Sequence, residues 1–236
     1  MPRERRPGRK PVASRTLISR VKTAKGRKIA STRWLQRQLN DPYVAAAKRE
    51  GLRSRAAFKL TEIDDAHSLL KPGQCVVDLG AAPGGWSQVA AQRVRGSGGG
   101  RVIAVDLIEM EPIAGVECLQ LDFTEPDAQG VLATQLSEAS VDVVLSDMAA
   151  PATGHKQTDH LRVIGLCEAA FEFTKTVLAP GGVFLCKVLQ GGTEQQLLAE
   201  LKQCFKKVRH VKPRASRADS SELYVLAEGF AGPSNC

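Results

Sequence analysis

A chain of 236 residues with 43% hydrophobic content is long enough for one domain with a real core, and at 5% aromatic that core is expected to be mostly Val, Leu, Ile and Ala. It has no run of eighteen apolar residues and no apolar segment behind its basic start, so neither a membrane span nor a secretory signal is expected. The net charge of +8 is uneven: residues 1–55 hold 17 Lys/Arg against 3 Asp/Glu, and residues 56–236 hold 16 against 22.

Residues 1–30 are rich in Arg, Lys, Pro and Ser, and are expected to form a disordered basic arm. Such an arm is an electrostatic handle for a polyanion; a solubilising tail and an organelle transit peptide share its composition. A single domain is expected over 31–230, with a short tail over 231–236. A helical pattern begins at Thr32, Asp41-Pro42 marks a turn or a new helix start, and Gly51 breaks the pattern. Ser54 is placed to cap a helix running to about Leu70, with Ala57, Leu60 and Ile63 facing inward.

From Cys75 the chain alternates between strands and helices. Strands are expected at 75–80, 101–106, 116–121, 141–146, 183–189, 208–211 and 223–226. Helices are expected at 86–94, 160–178 and 194–204, with Pro180-Gly181-Gly182 as a turn. This order predicts an α/β fold: a largely parallel sheet with helices on both faces. The six cysteines are scattered with no CxxC pair and read as reduced thiols of a cytoplasmic protein. The four histidines have no metal-ligand spacing, so no metal site is expected.

In open α/β sheets ligands bind beyond the carboxyl ends of the strands. Gly80, Asp106, Asp122 and Asp147 all fall at such ends. The loop Asp78-Leu79-Gly80-Ala81-Ala82-Pro83-Gly84-Gly85-Trp86 turns tightly and lets a ligand approach the backbone. It breaks the dinucleotide pattern G-x-G-x-x-G at Ala82, and no phosphate-binding G-x-x-x-x-G-K-[ST] occurs. It is therefore expected to hold the aminoacyl end of a different cofactor. A carboxylate at Asp106 can accept both hydroxyls of a ribose, and Asp122 can accept an adenine amine while Phe123 flanks the ring. Taken singly, each acid reads equally well as a helix cap or a solvated loop residue. Lys187 is notable for lying inside the apolar run Val183–Leu189, where a charge needs a partner or a task.

Four segments resemble the FtsJ family of RNA 2′-O-ribose methyltransferases: Ser54–Leu60, Val77–Gln88, Leu145–Met148 and Leu178–Gly182. The likeness covers about residues 31–229. It implies a Rossmann-like, seven-stranded methyltransferase fold using S-adenosyl-L-methionine. It also implies a Lys-Asp-Lys-Glu tetrad at Lys59, Asp147, Lys187 and Glu222, and cofactor contacts at Gly84, Trp86, Asp106, Asp122 and Asp147. The substrate implied is a uridine ribose of large-subunit ribosomal RNA in the assembled large subunit, methylated by a monomeric enzyme. The loop after Met148 departs from the family pattern: Ala149-Ala150-Pro151 stands where Ala-Pro-Asn is expected.

For such chemistry the ribose hydroxyl must align with the methyl group and lose its proton as the bond forms. Only a neutral lysine accepts that proton, and a second ammonium or loss of water favours this form. Lys187 is the expected base, oriented by Asp147 and Glu222, with Lys59 positioning the acceptor. A charged Lys187 that steadies the oxygen is the other option. RNA capture is expected from the basic arm and from Arg53, Arg55 and Lys59, with strong salt dependence. A tRNA substrate, a mitochondrial location, a non-catalytic RNA-binding protein and a small-molecule methyltransferase are the alternative readings.

Overall fold

The computed structural model describes residues 19–23, 25–96, 99–125, 127–136, 140–151, 153–191, 195–233 and 236. Most of the expected basic arm therefore lies outside the described residues. The chain divides into two compact units, Met1–Ala45 and Ala46–Cys236.

In the first unit, helix α1 spans Ile29–Leu39. The segment before it is tied to that helix: Asn40 Oδ1 accepts from Ser19 N (2.8 Å), and Gln36 Oε1 accepts from Val21 N (3.1 Å). Helix α2, Pro42–Arg49, starts where Asp41 accepts the Tyr43 amide at 3.0 Å and proline takes the first helical position.

The second unit holds α3 (Ala57–His67), β1 (Cys75–Leu79), α4 (Gly85–Val94), β2 (Arg101–Asp106), β3 (Glu117–Gln120), α5 (Ala128–Leu136), β4 (Val141–Ser146), α6 (Lys156–Val177), β5 (Leu178–Leu189), α7 (Gln195–Cys204), β6 (Phe205–Val211) and β7 (Glu222–Phe230). The seven strands form one sheet in the order β3-β2-β1-β4-β5-β7-β6. Only β7 runs against the rest, pairing antiparallel with both β5 and β6. The fold is thus the α/β class expected. β1 is buried along its whole length, as a central parallel strand covered on both faces must be.

Two apolar layers flank the sheet. On one side Leu60 and Ile63 of α3 and Val89, Ala90 and Val94 of α4 pack on Val76, Leu145, Leu185 and Leu226. On the other, Leu132 of α5, Phe171 and Phe173 of α6 and Leu201 of α7 pack on Val77, Ile103, Phe184 and Val225. Strand alternation sorts these residues, and it places Lys187, Glu222 and Tyr224 by parity on the α3–α4 side.

Several local expectations change. Ser54 does not cap α3; the cap position is Ala56, and the Ser54 hydroxyl lies buried beneath Gly85. The helix stops at His67, short of Leu70, because Ser68 turns left-handed and the Asp64 carboxylate takes the Leu70 amide at 2.8 Å. Pro180-Gly181-Gly182 is not a free turn but part of β5, where the pairing with β4 jumps from Val141↔Leu178 to Val143↔Val183. Helix α5 had no sequence counterpart. Cys204 and Cys236 form a disulfide rather than two thiols, because the chain returns beside α7, with Ala231 N on Cys204 O at 2.8 Å; the other four cysteines are free.

Candidate active site

The strand order reverses at β1 and β4, where the chain winds outward in both directions. The carboxyl ends of these strands form the crevice in which open α/β sheets bind ligands. Gly80 follows β1 with φ +75°, and a Cβ there would lie 2.7 Å from the Met148 backbone, so only glycine lets the two loops close together. Asp147 N donates to Leu79 O (3.1 Å), fixing the second loop against the first.

Two cavities meet here and share Gly80, Ala82 and Asp147. The larger, about 430 Å³, is lined by Asp106, Ile108, Asp122, Phe123 and Met148. The smaller, about 140 Å³, is lined by Ser54, Arg55, Ala81, Pro83 and Trp86. Asp106 holds its loop: its two oxygens accept from Ala82 N (2.8 Å) and Ile108 N (2.9 Å). Asp122 is held below the usual carboxylate range by the hydroxyl and amide of Thr124, at 2.6 and 2.9 Å. Phe123 is buried edge-on against Phe173. Gly84 lies at φ +104°, with Ile113 only 2.4 Å from where a Cβ would sit. Trp86 borders the small cavity but is itself buried; its indole N–H donates to Ala56 O (2.8 Å) and its ring packs on Tyr224.

Beneath this loop Asp78 is fully buried, and burial pushes its carboxyl up to about 7 despite a 2.6 Å hydrogen bond from the Ser87 hydroxyl. The charges of Asp147 and Asp106 push in the same direction.

The four polar residues singled out from sequence come together. Sheet register explains how: Lys187 pairs with Tyr224, and Leu189 pairs with Glu222. Lys187, 7% exposed, places Nζ 3.1 Å from Asp147 Oδ1 and also donates to the Asp147 carbonyl. Lys59 reaches from α3 to Glu222 Oε1 at 2.5 Å. Burial alone would raise the Glu222 carboxyl; the Lys59 and Lys187 ammoniums and the Ser216 hydroxyl outweigh it and hold it below its ordinary value.

Tyr224 joins the two ion pairs and was missed in the sequence. Its hydroxyl accepts from Lys59 Nζ (3.1 Å) and lies 3.0 Å from Asp147 Oδ1 and 3.3 Å from Glu222 Oε1. Burial and the two carboxylates push its pKa well above the ordinary tyrosine value, so it remains a donor. Its alternation with Glu222 on one face of β7, opposite Lys187, was the available signal.

Arg53 and Arg55 both hold backbone carbonyls around the site. Arg53 clamps the site loops by donating to Pro83 O, Glu111 O and Pro112 O, at 3.2, 2.7 and 2.7 Å. Arg55 donates to Ala215 O. Among the described residues no cluster of metal-binding side chains occurs, and no helix is long and apolar enough to cross a membrane.

Residues 52–230 match the model of the FtsJ-like methyltransferase family. A Parvibaculum lavamentivorans protein named ribosomal RNA large subunit methyltransferase E is 63% identical over 229 residues, covering 94% of this chain and 90% of that protein. A Rhodospirillum rubrum protein of the same name is 60% identical, covering 95% and 86%. The crystal structure of a Plasmodium falciparum protein described as a ribosomal RNA methyltransferase superposes with a TM-score of 0.68 at 30% identity, covering 76% of this chain and 99% of that one. With a family model spanning three quarters of its length and relatives of this identity over nearly all of it, the chain belongs to the FtsJ-like methyltransferases.

Proposed function

We propose that this protein transfers a methyl group from S-adenosylmethionine to the ribose 2′-oxygen of a uridine in large-subunit ribosomal RNA, acting on the assembled large subunit. The observation that carries the reading is the double ion pair around Tyr224, set where the two cavities meet at Asp147. The names of the relatives support the choice of RNA.

The residues present suit the cofactor. Gly80 lines both cavities with bare backbone, which suits a close-lying aminoacyl group. Asp106 and Asp122 keep free lone pairs at the mouth of the larger cavity for ribose hydroxyls and an adenine amine, and Phe123 lines it. When bound, S-adenosylmethionine supplies an electrophilic methyl group.

The protein's own residues then act on the acceptor. Lys187, once its ammonium has released a proton to solvent, takes the 2′-hydroxyl proton as the oxygen attacks, and Asp147 steadies the positive charge it regains. Both Lys187 contacts go to Asp147, so its amine is fixed in place before substrate arrives. Glu222 holds the Lys59 ammonium, which stands ready to orient the acceptor oxygen. The basic arm adds sequence-independent attraction for RNA.

The test is transfer of labelled methyl to large ribosomal subunits that lack the modification, with tRNA in parallel. Label recovered as 2′-O-methyluridine from the subunits supports the proposal; label in tRNA alone, or on a base, contradicts it. In the same assay, removal of residues 1–28 (which leaves α1 whole) is expected to raise KM and flatten its salt dependence; an unchanged KM removes the arm from the account.

A further inference from the structure

Two of the basic residues that the sequence suggested for RNA capture, Arg53 and Arg55, already donate to backbone carbonyls. A different cationic surface leads to the site. From Phe205 to Arg217 the chain carries Lys206, Lys207, Arg209, Lys212, Arg214 and Arg217 and no acid. The first part of this segment is β6, the edge strand of the sheet. Between its end and α3 lies a groove of about 690 Å³, whose lining includes His67, Arg209, Lys212 and Arg214.

Two acids also line the groove, and both are engaged. Glu62 accepts the Ala215 amide at 2.9 Å, and Asp65 is paired with Arg93 at 2.6 Å. Glu228, across from Lys207 in the sheet, is paired with Arg209. Lys207 and Arg214 are exposed, and among the described residues neither side chain makes a hydrogen bond or ion pair. Lys212 donates to Ser220 O (2.8 Å) and has two further protons to offer. Burial, then the Arg209 charge, with Glu228 opposing and Lys207 adding to it, holds the His67 imidazole below its ordinary value.

The end of the groove adjoins the candidate site along the chain. One residue past Arg214, the Ala215 backbone is held by Glu62 and Arg55. One residue further, the Ser216 hydroxyl donates to Glu222 Oε1 at 3.2 Å. Arg214 therefore stands two residues, about 7 Å of chain, from a side chain touching the tetrad. A strand with one ribose at Lys187 must carry its next phosphates somewhere beyond the pocket, and this basic segment comes within two residues of the cluster along the chain.

We propose that the groove between α3 and the end of β6 is a docking track for the sugar-phosphate backbone flanking the target nucleotide, with Lys212 and Arg214 of its lining as phosphate contacts and Lys207, outside the lining but on the same edge strand, extending it. This rests on the reading of the protein as an RNA methyltransferase. Phosphate contacts of this kind position the substrate without reading its sequence.

The test compares full-length protein with the Lys207→Ala/Arg214→Ala variant, which leaves the Lys212–Ser220 bond intact. A charge-matched control, Arg95→Ala/Lys202→Ala, removes two exposed cations elsewhere on the same unit. Binding to large subunits and to protein-free large-subunit RNA is measured from about 50 to 300 mM salt, with S-adenosylmethionine binding as the check on folding. Each lost phosphate contact lowers the slope of log K against log salt by roughly 0.7–0.9. The groove variant is therefore expected to lose about 1.5 in slope and about ten-fold or more in affinity at low salt. Cofactor affinity and single-turnover rate at saturating RNA should stay unchanged, and the control should match wild type. Equal losses in groove variant and control would mean diffuse attraction and overturn the track. Weakened binding to intact subunits with unchanged binding to free RNA would assign the surface to a ribosomal protein and also overturn it. If wild type binds and methylates no RNA, the functional reading itself fails, and the track falls with it. As a second variant, Lys212→Ala alone is expected to lose about half of this slope change.

Discussion

At the scale of single residues, Tyr224 has the most consequential position. Its phenol sits between two carboxylates and beneath an ammonium, while its ring packs against Trp86 at 5.4 Å between centroids. The hydroxyl links the Lys59–Glu222 pair to the Lys187–Asp147 pair, so the two act as one network. Tyr224→Phe keeps the ring packing and deletes the link. We expect kcat to fall about ten-fold to a hundred-fold, with cofactor affinity within two-fold of wild type. Stability should drop by about 1–2 kcal/mol, the cost of one hydrogen bond to a charged partner. Unchanged kcat in stopped methyl-transfer assays would show that the link carries no catalytic weight. Asp78 gives a separate test. Its carboxyl stands at about 7 in the folded protein against 3.8 unfolded, mainly because it is buried. As pH rises from about 4 through about 7, the unfolded chain has released a proton that the native state keeps, so unfolding free energy falls across that window and stays low above it. Asp78→Asn removes this contribution. Urea unfolding at pH 5 and pH 8 should show the wild type losing roughly 2–4 kcal/mol relative to the variant between the two values; a constant difference would mean that Asp78 does not carry a native-state proton.

At the scale of elements, the site is a consequence of register. β7 enters the sheet antiparallel beside β5, which brings Glu222 and Tyr224 across from Leu189 and Lys187. Asp147 arrives because β4 ends beside β1, and Lys59 arrives from α3 on the same face. The strands β2 and β4 were legible to the residue, since Val-rich runs that follow Gly100 and Ser140 and end at Asp106 and Asp147 leave little choice. Helix α5 was not, because its segment Ala128–Leu136 carries Gly130 and only three buried positions, so its periodicity is faint. The bulge at Pro180–Gly182 was hidden too: local turn chemistry announces a turn, and only pairing with β4 turns it into strand. The same closeness of elements makes Gly80 a sharp probe. At φ +75°, with a Cβ 2.7 Å from the Met148 backbone, Gly80→Ala must move the β4 loop away from the β1 loop. Calorimetry is expected to show S-adenosylmethionine affinity lowered by about a hundred-fold or more, with thermal stability reduced by about 1–3 kcal/mol. Wild-type affinity would mean that the loops can separate without affecting the site.

At the scale of the whole molecule, charge and chemistry are separated along the chain. The net charge is +14 over residues 1–55 and −6 over the remainder. Within the acidic remainder, the basic segment 205–217 ends against the catalytic cluster. Strand ends and the Gly-rich loop made the lining of the larger cavity readable from sequence, because those residues are close together in the chain or at fixed places in alternating units. The acceptor side was less readable, since Tyr224, Ser216 and the groove depend on an antiparallel strand and a long loop that no local pattern locates. All of it converges on Lys187, a buried amine fixed by Asp147, which lines both cavities. The most direct test is the single-turnover rate of methyl transfer to large ribosomal subunits by Lys187→Ala, with cofactor and RNA affinities measured on the same protein. We predict a rate lower by about 10³ or more with both affinities within a few-fold of wild type. A variant that binds normally and keeps more than a tenth of the wild-type rate would contradict the assignment of Lys187 as the proton acceptor.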